Sequence, residues 1–283
     1  MSEFPKFESK RENEQGIERE SKPSKIVLLV RHPSVKWFEQ LLEKAELEGK
    51  DIETYAPIDK EGLKITGLLS EYLQNELPQT LGDTDLNRNY SIYTSPIKRA
   101  KHMADILSKN IKLSHTEDPE IPIPANNEPI ELDSFSEVSF ISKKQEALDL
   151  VKEAEQKGVH PVKFWFEKNQ DEVITKLNEK LPDVEEGLRS LEDSKTPLNI
   201  LFSHRITLAL TLWLIEQKKL GRKDLAITRE DLPEIIKLTG KMAYTSISEI
   251  RLQEKEGEKK WFVQSIAETP HLEKESKVNR GEF

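Results

Sequence analysis

An arginine and a histidine stand side by side at Arg31-His32, directly after the apolar run Ile26-Val27-Leu28-Leu29-Val30. A second histidine, His204, follows Asn199-Ile200-Leu201-Phe202-Ser203, and a second arginine, Arg99, follows Ser91-Ile92-Tyr93-Thr94-Ser95-Pro96. Short apolar runs of this kind read as buried strands, and in open α/β sheets reactive groups gather at the carboxyl ends of the strands. A neutral imidazole can attack phosphorus, and guanidiniums hold phosphate oxygens through bidentate, charge-assisted hydrogen bonds. Two histidines and two arginines brought together therefore suit phosphoryl transfer, in which positioned cations stabilise charge spread over the equatorial oxygens. The leaving oxygen also needs a proton from a carboxylic acid, whose pKa apolar neighbours would raise.

The elements that must position these groups can be read from periodicity. Strands are expected at 26–30, 91–94 and 199–202. A helix is expected from about Asp59, which can cap its first turn, with Ile65, Leu68, Leu69, Tyr72 and Leu73 on one face. Ser95 suits an N-cap and Pro96 the first helical position, which puts Arg99 in the first turn of a helix striped by Ala100, Met103, Ala104 and Leu107. Four prolines make 115–135 an extended loop. An amphipathic helix over 143–157, stopped by Gly158, and the cluster Phe164-Trp165-Phe166 together read as a lid or cap insertion over about 115–170. A long helix from Asp171 is expected to kink or divide at Pro182, and 208–215 reads as a buried helix. The segments 245–252 and 261–263, separated by a charged turn at Gly257, read as a hairpin. Strands alternating with helices predict an α/β sheet covered on both faces.

Composition narrows the function classes. The chain has 283 residues, 43 basic and 52 acidic side chains and a net charge of −9, which argues against nucleic-acid or membrane-surface binding through a general positive field. Any anion site must be local. Without cysteine there is no disulfide, thiol nucleophile or Cys-ligated metal. No histidine pair has metal-ligand spacing, and neither phosphate-binding nor dinucleotide-binding glycine loops occur, so no metal or cofactor is expected. The stretches 1–24 and 273–283 are charged and poor in aliphatic residues, which predicts disordered tails around one domain over 25–272. Without an apolar leader at the start or a span of ~18 to 20 apolar residues, a cytoplasmic location is expected.

Arg31-His32-Pro33 resembles the Arg-His-Gly opening of the histidine phosphatase superfamily, the phosphoglycerate mutase-like fold. Further matches follow in the family's order. Residues 57–63 resemble its "Leu-Thr-x-x-Gly" helix start, and Tyr93-Thr94-Ser95-Pro96-Ile97-Lys98-Arg99-Ala100 resembles its "Ser-Ser-Pro-Leu-x-Arg-Ala" segment. Ser136-Glu137-Val138-Ser139-Phe140 is similar to "Arg-Glu-x-Asp-Phe-Gly", and Phe202-Ser203-His204 to "Val-Ser-His-Gly". Thr245-Ser246-Ile247 and Pro270-His271-Leu272 resemble the closing strand and tail. The resemblance implies a three-layer α/β/α sandwich with a mostly parallel sheet. It implies His32 as the nucleophile that becomes a phosphohistidine, Arg31 and Arg99 as a phosphate clamp, and His204 as a donor to the transferring group. Glu137 is then the acid, with Asp133 and Glu131 as alternatives.

Three departures from the family pattern bear on activity. Pro33 replaces a glycine and removes a backbone donor. Arg205 replaces another glycine, adding a phosphate-binding cation or pointing to solvent. Phe38 after Trp37 stands where mutases carry asparagine, which favours hydrolysis. The expectation is a metal-independent phosphomonoester hydrolase acting on a small phosphorylated metabolite. A mutase-type transfer, or a catalytically weak relative that binds phospho-ligands, is the alternative.

Overall fold

The computed structural model describes residues 24–33, 58–75, 90–110, 128–138, 144–255 and 257–272. Readings that fall on both tails, on Trp37 and Phe38, on Ser139 and Phe140, and on most of the proline-rich 115–135 stretch lie outside them.

Six strands are described: β1 (Lys25–Arg31), β2 (Tyr90–Thr94), β3 (Ile130–Glu131), β4 (Leu198–Ser203), β5 (Ile247–Lys255) and β6 (Glu258–Glu268). The described helices are α1 (Lys60–Asn75), α2 (Lys98–Asn110), α3 (Lys144–Gln156), α4 (Pro161–Lys168), α5 (Gln170–Glu192), α6 (Arg205–Lys219) and α7 (Leu232–Lys241). The strands form one sheet in the order β3-β2-β4-β1-β5-β6. The neighbours from β3 to β1 run parallel, and the pairs β1·β5 and β5·β6 are antiparallel. This is a mixed, mostly parallel sheet in an α/β fold.

The apolar residues of the central strands alternate between two cores, because successive side chains in a strand point to opposite faces. Val27, Leu29, Tyr93 and Leu201 join a cluster built from α4, α5, α6 and α7. Ile26, Leu28, Val30, Ile92, Leu198, Ile200 and Phe202 join a second cluster with Leu69 and Leu73 of α1 and Ala100, Met103, Ala104 and Leu107 of α2. Helices therefore cover both faces, as the alternation of elements predicts. Among the described residues no helix is long and apolar enough to cross a membrane.

Local chemistry explains most boundaries. Asp59 Oδ1 accepts the Gly62 N–H at 2.6 Å and caps α1, as its position foretold. Ser95 Oγ accepts the Ile97 N–H at 3.2 Å, while regular helix begins slightly later, at Lys98. Gly158 and Gly257 adopt φ of 64° and 81°, left-handed values that suit glycine at the end of α3 and in the hairpin turn.

Two expectations are corrected. α5 is one helix that runs through Pro182 undivided, its apolar face held from Val173 to Leu191 in the core. Within the stretch read as extended loop, Ile130 and Glu131 form β3 against Tyr93 and Thr94, and Asp133–Phe135 is a 3-10 turn. The aromatic cluster of α4 is buried: Trp165 and Phe166 belong to the larger core.

Phe202 is fully buried one residue before the Ser203-His204 corner. Phe202→Ala is expected to lower stability by about 3–5 kcal/mol in urea unfolding, since a large cavity would open beneath the site. A loss under 1 kcal/mol would show that this layer is not packed as described.

Candidate active site

Register brings the functional side chains to one level. Arg31 pairs with Ser203 across β1 and β4, and Thr94 pairs with Phe202 across β2 and β4. The His32 N–H donates to Ser203 O at 3.0 Å and the Ser95 N–H to Phe202 O at 2.9 Å, so the ladder persists one residue past the strands. Leu132 N–H closes on Thr94 O at 2.9 Å, placing the loop that carries Glu137 beside the same edge. Arg31, His32, His204 and Glu137 thus meet at the carboxyl ends of four parallel strands. α2 and α6 begin there as well, and their N-terminal dipole ends favour negative charge.

His32 is oriented by its own chain. Its Nδ1 lies 2.7 Å from Pro33 O, which can only accept, so Nδ1 carries the proton and Nε2 keeps a lone pair. Proline costs this corner an N–H but leaves the carbonyl that fixes the tautomer. Arg99 Nε donates to His32 Nε2 at 3.1 Å, and Arg99 NH2 reaches Glu137 Oε2 at 2.8 Å. Burial, then the charges of Arg99, His204 and Arg31, hold the His32 pKa well below 6.5. The imidazole is neutral near pH 7, with its unprotonated Nε2 turned toward a cation.

Glu137 lies between two partners. His204 Nδ1 is 3.1 Å from Glu137 Oε2, close enough for an ion pair though out of line for a hydrogen bond, and His204 Nε2 contacts Ser95 Oγ at 2.8 Å. Burial pushes the Glu137 carboxyl up, but His204 and Arg99 outweigh it and hold its pKa at about 2. The raised pKa expected for the acid is therefore absent in the free site, because its neighbours are donors and cations instead of apolar groups. His204 is pushed below its ordinary value by burial, with Glu137 opposing. Of the alternative acids, Glu131 is exposed and paired with Lys101, and Asp133 is exposed.

The Glu137 loop is clamped from below. Ser203 Oγ donates to Phe135 O at 2.7 Å, Thr207 Oγ1 to Ser136 O at 2.9 Å, and Lys180 Nζ to Ser136 Oγ at 2.9 Å. Phe135 packs over Gly187 of α5, where an added Cβ would stand 2.4 Å from its ring.

Arg31 is buried and seated by the turn 242–246. Its NH1 donates to Met242 O, its N–H donates to Ser246 O at 3.1 Å, and its Cζ lies 3.9 Å over the Tyr244 ring. Its Nε has no hydrogen-bond partner among the described residues. Burial and the neighbouring Arg205 pull its pKa down to about 9, so it stays cationic near neutrality. Arg205 is turned inward, only 7% exposed, and so does not point to solvent. It meets His160 of the α4 N-cap, with NH1 and Nε2 3.2 Å apart. Burial and then Arg205 and Arg31 push His160 down to about 4.

His160 and Tyr244 are the site residues that sequence reasoning missed. His160 precedes a proline at a helix start, a visible capping signal, but nothing local points it toward Arg205. His32, Glu137 and His204 also offer ligand atoms within 4.8 Å of one another, a spacing a cation could use. Arg31 and Arg99 beside them make the surroundings favour an anion.

No family model matches the chain, and no curated protein matches it. Solved structures that resemble it, at low identity, include a mutase and phosphatases. A phosphoglycerate mutase from Bacillus anthracis is 14% identical, with 88% of this chain and 96% of that chain covered and a TM-score of 0.48. A putative alpha-ribazole-5'-P phosphatase from Escherichia coli is 13% identical, with coverage of 87% and 97% and a TM-score of 0.47. A mycobacterial glucosyl-3-phosphoglycerate phosphatase is 12% identical, with coverage of 87% and 100% and a TM-score of 0.48.

Nitrogen NMR of labelled histidine should find His32 neutral at pH 7, protonated on Nδ1, and still neutral as the pH falls through 6.5. A ring that is cationic at pH 7 would contradict the geometry.

Proposed function

We propose that this protein is a metal-independent phosphomonoester hydrolase that forms a phosphohistidine at His32 on a small phosphorylated metabolite. The observation that carries this reading is the His32 ring itself. Its Nδ1–H is spent on Pro33 O, and its Nε2 lone pair faces Arg99 in a buried cluster of cations. A nitrogen held this way is a nucleophile, and its surroundings stabilise an anionic electrophile.

The steps follow from the contacts. Arg31, Arg99 and Arg205 take the phosphate oxygens, and Arg99 transfers its N–H from His32 Nε2 to one of them. Nε2 attacks phosphorus, and the P–O bond to the leaving group breaks. Glu137 protonates the leaving oxygen and His204 donates to the transferring group. The Glu137 carboxylate then takes a proton from a water that attacks the phosphohistidine, which releases phosphate and restores His32. Glu137 must be protonated for the first half. A bound dianion draws Arg99 away and adds negative charge beside the carboxyl, and both effects raise its pKa. Substrate binding is then coupled to proton uptake.

Turnover of an aryl phosphate in the presence of chelator should be lost in His32→Ala, by at least ~1000-fold. Equal rates in the two proteins would overturn the reading. The neutral form of His32 is the active one, so His32 should not lower kcat/KM as pH falls through 6.5, and proton uptake by Glu137 should raise it; a decline centred at 6.5 or above would contradict the reading. Calorimetry of phosphate binding in buffers of different ionisation enthalpy should show greater proton uptake for the wild type than for Glu137→Gln. The same buffer dependence in both would remove Glu137 as the acid.

A further inference from the structure

The turn that seats Arg31 contains a backbone outlier. Thr245 is buried and β-branched, yet has φ of 57°, in the left-handed region that such residues avoid. Residues in this conformation persist where the surroundings fix them. Its side chain does so through two contacts: Thr245 Oγ1 lies 2.6 Å from Tyr244 O and 2.8 Å from His271 Nε2. The hydroxyl has one proton, and the Tyr244 carbonyl can only accept it. The Oγ1 lone pair then accepts from His271 Nε2–H. His271 belongs to the 3-10 turn Pro270–Leu272, which packs on α1, with its ring 6.2 Å from Tyr72.

Residues on both sides of Thr245 touch Arg31. Tyr244 lies under the guanidinium and Ser246 O accepts the Arg31 N–H. The left-handed step at Thr245 turns the chain between them, so it sets where the Tyr244 ring stands relative to the Ser246 carbonyl. Relaxing it to an ordinary φ would carry the ring off the arginine.

We infer that His271 is a positioning residue for phosphate recognition: it acts through Thr245, locking the strained turn that aims Arg31. The proposal rests on the reading that Arg31 binds the phosphoryl group. The contacts predict which constants move. Losing the lock loosens Arg31 and weakens phosphate binding. The Tyr244 ring also stands 6.1 Å from the His32 ring, but His32 keeps its hydrogen bonds to Pro33 O and Ser203 O and the Arg99-Glu137 pair is held by the clamped loop, so the larger change falls on Arg31.

The test is the binding of inorganic phosphate by calorimetry, together with steady-state turnover of an aryl phosphate, for wild type, His271→Ala, His271→Gln and Thr245→Gly. His271→Ala should weaken phosphate binding and raise KM by ~10-fold, with kcat within ~3-fold and the pH dependence of kcat unmoved. His271→Gln, which keeps an N–H donor, should recover most of the loss. Glycine takes φ of 57° without strain, so adding His271→Ala to Thr245→Gly should change phosphate affinity by less than ~2-fold. Unchanged affinity and KM in His271→Ala would overturn the proposal. So would a fall in kcat and folded fraction together with KM retained, or an equal His271→Ala effect in the Thr245→Gly background. A wild type that neither binds phosphate nor turns over an aryl phosphate would defeat the proposed function. A wild type that does both while the variants match it defeats only the role of His271.

Discussion

Three guanidiniums gathered at the end of one sheet repel one another, and the arrangement at the strand ends depends on their being held together. Arg31 shows the cost, since burial and the neighbouring Arg205 pull its pKa down to about 9. Surrounding groups are arranged to tolerate that charge. Glu137 pairs with Arg99, the Tyr244 face lies under Arg31, and the Met242 and Ser246 carbonyls accept from it. A phosphate dianion entering the cluster would relieve the repulsion, which is the electrostatic basis of the phosphate binding proposed above.

The sheet makes this arrangement possible. Parallel strands end at the same level, so residues from four distant stretches of chain arrive together without long loops to carry them. Glu137 is the exception, held on a loop instead of a strand end. Phe135 buried against Gly187 and the Ser203, Thr207 and Lys180 donors give that loop the firmness a strand would have supplied. Electrostatics follows from the same placement. The neighbours that keep His32 neutral also keep Glu137 ionised, since Arg99 and His204 lower both pKa values.

Much of this was legible in the sequence because its signals are local. The apolar runs before Arg31 and His204, the Ser95-Pro96 helix start and the Asp59 cap each depend on a few adjacent residues. β3 was not legible, since two residues amid prolines carry no periodicity and exist as a strand only through pairing with β2. The unbroken course of α5 through Pro182 likewise reflects a long apolar face packed on the core, which outweighs the missing hydrogen bond. His160 and Tyr244 gave no sign of their proximity to the arginines, because side-chain contacts between distant segments leave no mark on spacing. The stretch 115–170, read as an insertion, meets the site at Glu137 and, through His160, at Arg205.

The central claim is that His32 Nε2 is the atom that bonds to phosphorus. It is tested most directly by mixing the protein with an aryl phosphate, quenching within milliseconds into alkali, and locating any phosphoryl group on the intact and digested chain by mass spectrometry. The account predicts one phosphoryl group, stable in alkali and lost in acid, on the peptide containing His32 and absent from His32→Ala. Turnover accompanied by a phosphoryl group on another residue, or by unchanged labelling in His32→Ala, would contradict it.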